Sequence, residues 1–221
     1  MDRLHTVPDT AGLIVRLTLE ELGTPWEVRL VDAKGGGLAA PAFRALNPQG
    51  LVPVLDTDTG PVFETGAILL SLADRYPGLA PAPGAPGRGA FLSWLFFTSN
   101  TLHPDLARLF HPARHVGPDP GVQDDFRDIG SARIRRHFAL LDTVAATHPG
   151  WLDPAAPSVL CWYLAVMIRW AGLLSAEGDD WFDLAAHPAL SALAAALETR
   201  PAARHAAAAE GLGPTPFTAP A

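Results

Sequence analysis

The chain has 221 residues, 48 % hydrophobic and 18 % charged, so it is long enough for one large or two small domains and too apolar to be disordered. Sixteen basic residues face 23 acidic ones, a net charge of −7, which excludes a protein that holds nucleic acid through a basic stripe. A single cysteine, Cys161, excludes an intrachain disulfide and a CxxC redox pair.

In chain order, Arg3 to Val7 reads as a short strand. Ala11 to Leu22 carries a helical apolar stripe (Leu13, Ile14, Leu17, Leu19, Leu22) that ends at Gly23, a good residue for a helix C-terminus. Trp26 to Val31 alternates as a second strand. Lys34 to Gly37 is a loop, and Pro41 to Leu46 a short helix. Asn47-Pro48-Gln49-Gly50 is a turn, since Pro fixes φ and Gly permits a positive one. Val52 to Leu55 is a buried strand containing a proline, which must sit at an edge, at the strand start or in a cis peptide. Asp56 to Gly60 turns the chain, Pro61 to Phe63 returns, and Glu64-Thr65-Gly66 opens an apolar helix.

Between Pro77 and Gly89 the density of Pro and Gly marks a linker, with no dinucleotide or phosphate-loop spacing. Helical periodicity alone follows, over 90–110, 124–147, 158–174 and 188–199, punctuated by four His-Pro pairs. The expected organisation is an α/β domain over 1–78, a linker over 79–89 and an all-helical domain over 90–221. The tail from Gly211 is expected to be loosely packed. The run 158–174 carries Arg169 and reads as a buried core helix, not a membrane span. No basic-then-apolar leader opens the chain, and a cytoplasmic, reducing setting is expected.

The order turn, Val-Pro strand, hairpin, acidic-hydroxyl pair, apolar helix in Asn47 to Tyr76 resembles the glutathione-binding half of the glutathione transferase family. That resemblance extends over nearly the whole chain. It implies a thioredoxin-like N-terminal domain followed by an all-α helical bundle. It implies glutathione as cosubstrate, a small hydrophobic electrophile as its partner, and a homodimer. By resemblance, the Val52 backbone pairs with the cysteinyl unit, Pro53 is cis, and Glu64 and Thr65 take the γ-glutamyl end. Independently, a helix N-terminus at Thr65 attracts an anion. Thr65 also reads as an ordinary N-cap, and both readings can hold. Gln49 is placed to reach the peptide's other end, or is a solvated turn residue.

The family's thiolate stabiliser is a Tyr, Ser or Cys between the first strand and first helix. Aligned on Pro8, the adjacent Cys and Ser of bacterial members fall on Ala11 and Gly12, which have no donor. Thr10 is the nearest hydroxyl and the candidate catalytic residue there; it, or Asp9, also reads as a plain helix cap. Leu102-His103 matches a Leu-His pair that faces the peptide site in bacterial members, so His103 is the second candidate, with Pro104 where a Lys usually follows. Ser158 to Tyr163 matches a capping box in which Cys161 replaces Asp. Trp94, Phe96, Phe97 and Phe110 are available for an acceptor pocket. A metal site from His103, His111 and His115 is not expected, because Pro112 interrupts their helical spacing. The leading expectation is transfer of the glutathione thiolate to an electrophile. The alternatives are a binding protein on the same scaffold with little turnover, or another glutathione-dependent reaction such as isomerisation, ether cleavage or peroxide reduction.

Overall fold

The computed structural model describes residues 1–176 and 180–221. Four strands form one mixed sheet in the order β2-β1-β3-β4: β1 (Asp2–Thr6), β2 (Trp26–Leu30), β3 (Val54–Thr57) and β4 (Gly60–Phe63). β1 and β2 are parallel, with Leu4 opposite Val28, and a parallel pair needs a crossover. Helix α1 (Gly12–Leu22) supplies it and ends at Gly23, whose φ of 62° only glycine takes freely. β3 runs antiparallel to β1 and pairs with β4 through a hairpin from Thr57 to Gly60. The turn is therefore tighter than the Asp56 to Gly60 expectation, because the Thr57 hydroxyl accepts from Thr59 N–H and donates to the Gly60 carbonyl. Pro53 sits directly before β3 in a cis peptide with Val52. A short helix α2 (Pro41–Arg44) precedes that strand, and α3 (Thr65–Arg75) follows the hairpin.

Among the described residues helices alone follow, as expected: α4 (Arg88–Phe97), α5 (His103–Phe110), α6 (Ala113–Val116), α7 (Pro120–Ala145), α8 (Val159–Ala176), α9 (Pro188–Glu198) and α10 (Pro201–Glu210). The chain thus has the thioredoxin-like sheet half and helical second half implied by the motif. α4 and α5 are joined by a π turn over Thr98–Leu102, in which His103 N–H reaches back five residues to the Thr98 carbonyl. Pro104 explains it: its ring would collide with the Asn100 carbonyl in an unbroken α-helix, and it has no N–H to give. α7 begins four residues before the apolar period does. Asp119 caps it, accepting from Gly121 and Val122, and Pro120 occupies its first position.

α8 is the axis of the core. By length and composition it could cross a membrane, but 83 % of it is buried inside the protein. Ser158 caps it, accepting from Leu160 N–H at 3.1 Å and donating to the Trp151 carbonyl at 2.7 Å. α1 is buried on all faces from Gly12 to Leu19 because it lies between α3 and the sheet on one side and α8 and α10 on the other.

Two further features depart from the sequence reading. α10 is an extra helix, whose alanines gave no contrast of apolar and polar faces; Pro201 at its start and Gly211 at its end were the visible signals. The tail is not loose. Phe217 is 1 % exposed, and the Glu198 carboxylate accepts from the N–H groups of Phe217 and Thr218 and from the Thr218 hydroxyl. A buried aromatic and a shared carboxylate anchor fix the segment.

Candidate active site at the junction of sheet and helices

The hairpin register sets Val54 opposite Phe63, so Pro53 and Glu64 follow side by side. Glu64 has φ 69° and ψ 119°, a conformation that costs a non-glycine residue of order 1–3 kcal/mol and concentrates at functional sites. α3 then starts at Thr65 with no side-chain cap. Thr65 is therefore the first helical residue and not the cap, and no side chain caps the N–H groups of the first turn. Gln49 Nε2 donates to Glu64 Oε1 at 2.9 Å. Gln49 is itself held by Asn47, whose side chain accepts from Gln49 N–H and donates to the Leu51 carbonyl. Gln49, Val52, Pro53, Glu64 and Thr65 thus form one rim.

The π turn forms the facing rim. A Cβ on Gly66 would lie 3.2 Å from Ser99, so glycine lets the start of α3 approach this turn closely. One turn on, His103 Nδ1 is 2.7 Å from the Tyr163 hydroxyl, and its ring packs edge-on to Trp170, which in turn meets Phe110. Burial lowers the His103 pKa to about 4, so the imidazole is neutral at neutral pH. Burial raises the Tyr163 phenol far above its ordinary value, and the Glu64 charge adds to this, so Tyr163 stays protonated beside the Glu64 rim. The neutral imidazole and the protonated phenol share one hydrogen bond, whose direction follows the imidazole tautomer.

The third component is the loop from Val7 to Ala11. The Thr10 hydroxyl donates to the Val7 carbonyl at 2.7 Å and accepts weakly from Gly12 N–H at 3.4 Å. Its proton is committed within the loop. A side chain at position 12 is impossible as the loop stands: a Cβ on Gly12 would fall 1.7 Å from Thr6 Oγ1. Asp9, at φ 53°, does not cap α1. Its carboxylate takes a bidentate pair from Arg169 at 2.8 and 2.7 Å, and its N–H donates to Glu210 at 2.7 Å. Arg169, Glu210 and Tyr163 were not among the expected site residues. The visible signal was Arg169, one charge inside an apolar helix.

Among the described residues no three His, Cys, Asp or Glu side chains gather as metal ligands. Cys161 is fully buried, 3.6 Å from the Trp151 carbonyl, and burial pushes its thiol up to about 12.

A family model described as the N-terminal domain of glutathione S-transferase matches residues 12–75. A sphingomonad glutathione S-transferase, solved in complex with glutathione, is 34 % identical, and the alignment covers 96 % of this chain and 100 % of that one with a TM-score of 0.76. The chain belongs to the glutathione S-transferase family. The family member from Xylella fastidiosa is 27 % identical, with 96 % of this chain and 100 % of that one aligned at a TM-score of 0.83. Glutathione S-transferase GST-4.5 of Xanthomonas campestris is 29 % identical over 76 % of this chain and 82 % of its own length. The match to the glutathione S-transferase domain contains Gln49 to Thr65 and begins at Gly12, just after the loop in which this chain lacks the expected donors.

Proposed function

We propose that the chain is a glutathione-dependent transferase that joins the glutathione thiolate to a small apolar electrophile. The uncapped start of α3 beside the strained Glu64 carries this reading. The γ-glutamyl carboxylate sits on the free N–H groups of Thr65 and its neighbours, Glu64 takes the ammonium while Gln49 steadies its carboxylate and not the peptide's other end, and the Val52 backbone pairs with the cysteinyl unit. The sulfur then lies toward the α1 N-terminus, whose dipole lowers the thiol pKa. His103 is the candidate that replaces the missing Cys, Ser or Tyr, with the ring edge not bonded to Tyr163 left for the sulfur. Thr10 is the weaker candidate, because its proton is held by Val7. Phe110 and Trp170 supply apolar wall next to His103.

The test is retention on immobilised glutathione, together with a thermal shift in millimolar glutathione. No retention and no shift would sink the proposal. Glu64→Gln is expected to weaken binding by roughly tenfold, the loss of about one charge-assisted contact, whereas Thr65→Val keeps the backbone N–H and is expected to change it little. A second reading, binding with little turnover, is favoured by the committed Thr10 proton and the donor-free Ala11 and Gly12. Retention without conjugation of an aryl halide would select it. We assign the protein to the cytoplasm and expect a homodimer, since Phe96, Ile129 and Leu140 are large apolar side chains left exposed on α4 and α7. Sedimentation measures the second point.

A further inference from the structure

Arg169 is 1 % exposed in the middle of α8, and a guanidinium so deep is tolerated only when paired. Its partner is Asp9, in the loop that leads into α1. The third donor, Nη1, goes to the Pro216 carbonyl at 3.1 Å, so the tail fixes the guanidinium as well. A second cross-chain tie lies beside the first. Glu210 on α10 accepts from Asp9 N–H through one oxygen and from Arg16 Nε on α1 through the other, both at 2.7 Å. The charged groups that face Asp9 are therefore Arg169 from α8 and Glu210 from α10, with Arg16 behind Glu210. Arg16 also reaches Glu20 at 3.8 Å, and His205 lies 3.7 Å from Glu20. No donor side chain is present at positions 11 and 12, so the backbone of this loop and the α1 N-terminus share the thiolate site with His103.

We propose that Arg169 is a positioning residue for glutathione activation: it holds the Val7–Ala11 loop through Asp9 and neutralises the Asp9 carboxylate, which would otherwise raise the pKa of a thiol bound at the α1 N-terminus. Glu210 fixes the same loop through the Asp9 amide. This rests on the glutathione reading above.

The test has a charge signature that a purely structural role lacks. The pKa of enzyme-bound glutathione is followed by the ultraviolet difference spectrum of its thiolate against pH. Arg169→Gln leaves Asp9 uncompensated, and the bound thiol pKa is expected to rise by about 0.5 to 1. Asp9→Asn leaves Arg169 unopposed, and the pKa is expected to fall by about the same amount. The double variant is expected to return to the parent value, and Arg169→Lys to stay near it while binding glutathione more weakly. Shifts of the same sign in both single variants, or none, overturn the inference while the parent's thiolate signal keeps the glutathione reading intact. A parent protein that shows no bound thiolate overturns both. Should Arg169→Gln fail to fold, Asp9→Asn and Arg169→Lys still decide.

Discussion

His103 shows how one side chain changes meaning once its neighbours are known. Its identity and its Leu-His context were readable, but its protonation is set by burial, and its hydrogen-bond partner Tyr163 lies 60 residues away. The folded pKa of about 4 lies below the ordinary 6.5, so the unfolded chain binds more protons between these values. Stability from this group is whole above pH 6.5 and is lost as pH falls toward 4, on the order of 3 kcal/mol. Glu210 acts in the opposite sense, because burial, set against the Asp9 amide and Arg16, raises its carboxyl. Comparing denaturant midpoints of the parent and His103→Gln across pH 4 to 7 isolates the histidine, and the variant is expected to show a flatter profile. Cys161 is simpler. A thiol at about 12 with no exposed surface is inert, so a thiol reagent is expected to react with none of the native protein and one equivalent after denaturation.

At the scale of the element, the segments most legible in sequence were those with backbone signals of their own. Pro53 announced a strand start or a cis bond, and Asn47 to Gly50 announced a turn, because Pro and Gly restrict or free φ regardless of what packs on them. The start of α3 was legible as a helix N-terminus, but not that Thr65 would be the first helical residue and Glu64 would bear the strained φ. That depends on how the hairpin delivers the chain. Glu64→Gly is expected to stabilise the fold by about 1 kcal/mol by relieving φ 69°. It should also weaken glutathione binding, since Gln49 and the ligand lose the carboxylate. Thermal melting and titration calorimetry on the same variant measure both directions. α10 was missed for the converse reason: ten residues of mostly alanine have helix propensity but almost no hydrophobic contrast.

Across the whole molecule, the ties that define the site are long-range, and none has a local signature. Asp9 with Arg169, Arg16 with Glu210, and Glu21 with Arg200 each join α1 or the loop before it to the helical half across 160 or more residues. The sequence showed the charges without their partners. The tail belongs to this set, since Phe217 fills the core and Pro216 accepts from Arg169. Removing residues 213–221 is expected to cost about 2–4 kcal/mol, the value of one large buried side chain with its contacts. It should also lower glutathione affinity by loosening Arg169, as urea midpoints and binding titrations would report.

The same three ion pairs bear on how such proteins can be recombined. A chimera that joins this sheet half to the helical half of a relative, with the crossover in the Pro- and Gly-rich stretch after Tyr76, would look conservative by domain boundary. It would nevertheless strand Asp9, Arg16 and Glu21 against foreign partners. The heritable module is therefore not either half but the pairing of α1 and its leading loop with α8, α10 and the tail, and grafts that respect function must move those parts together.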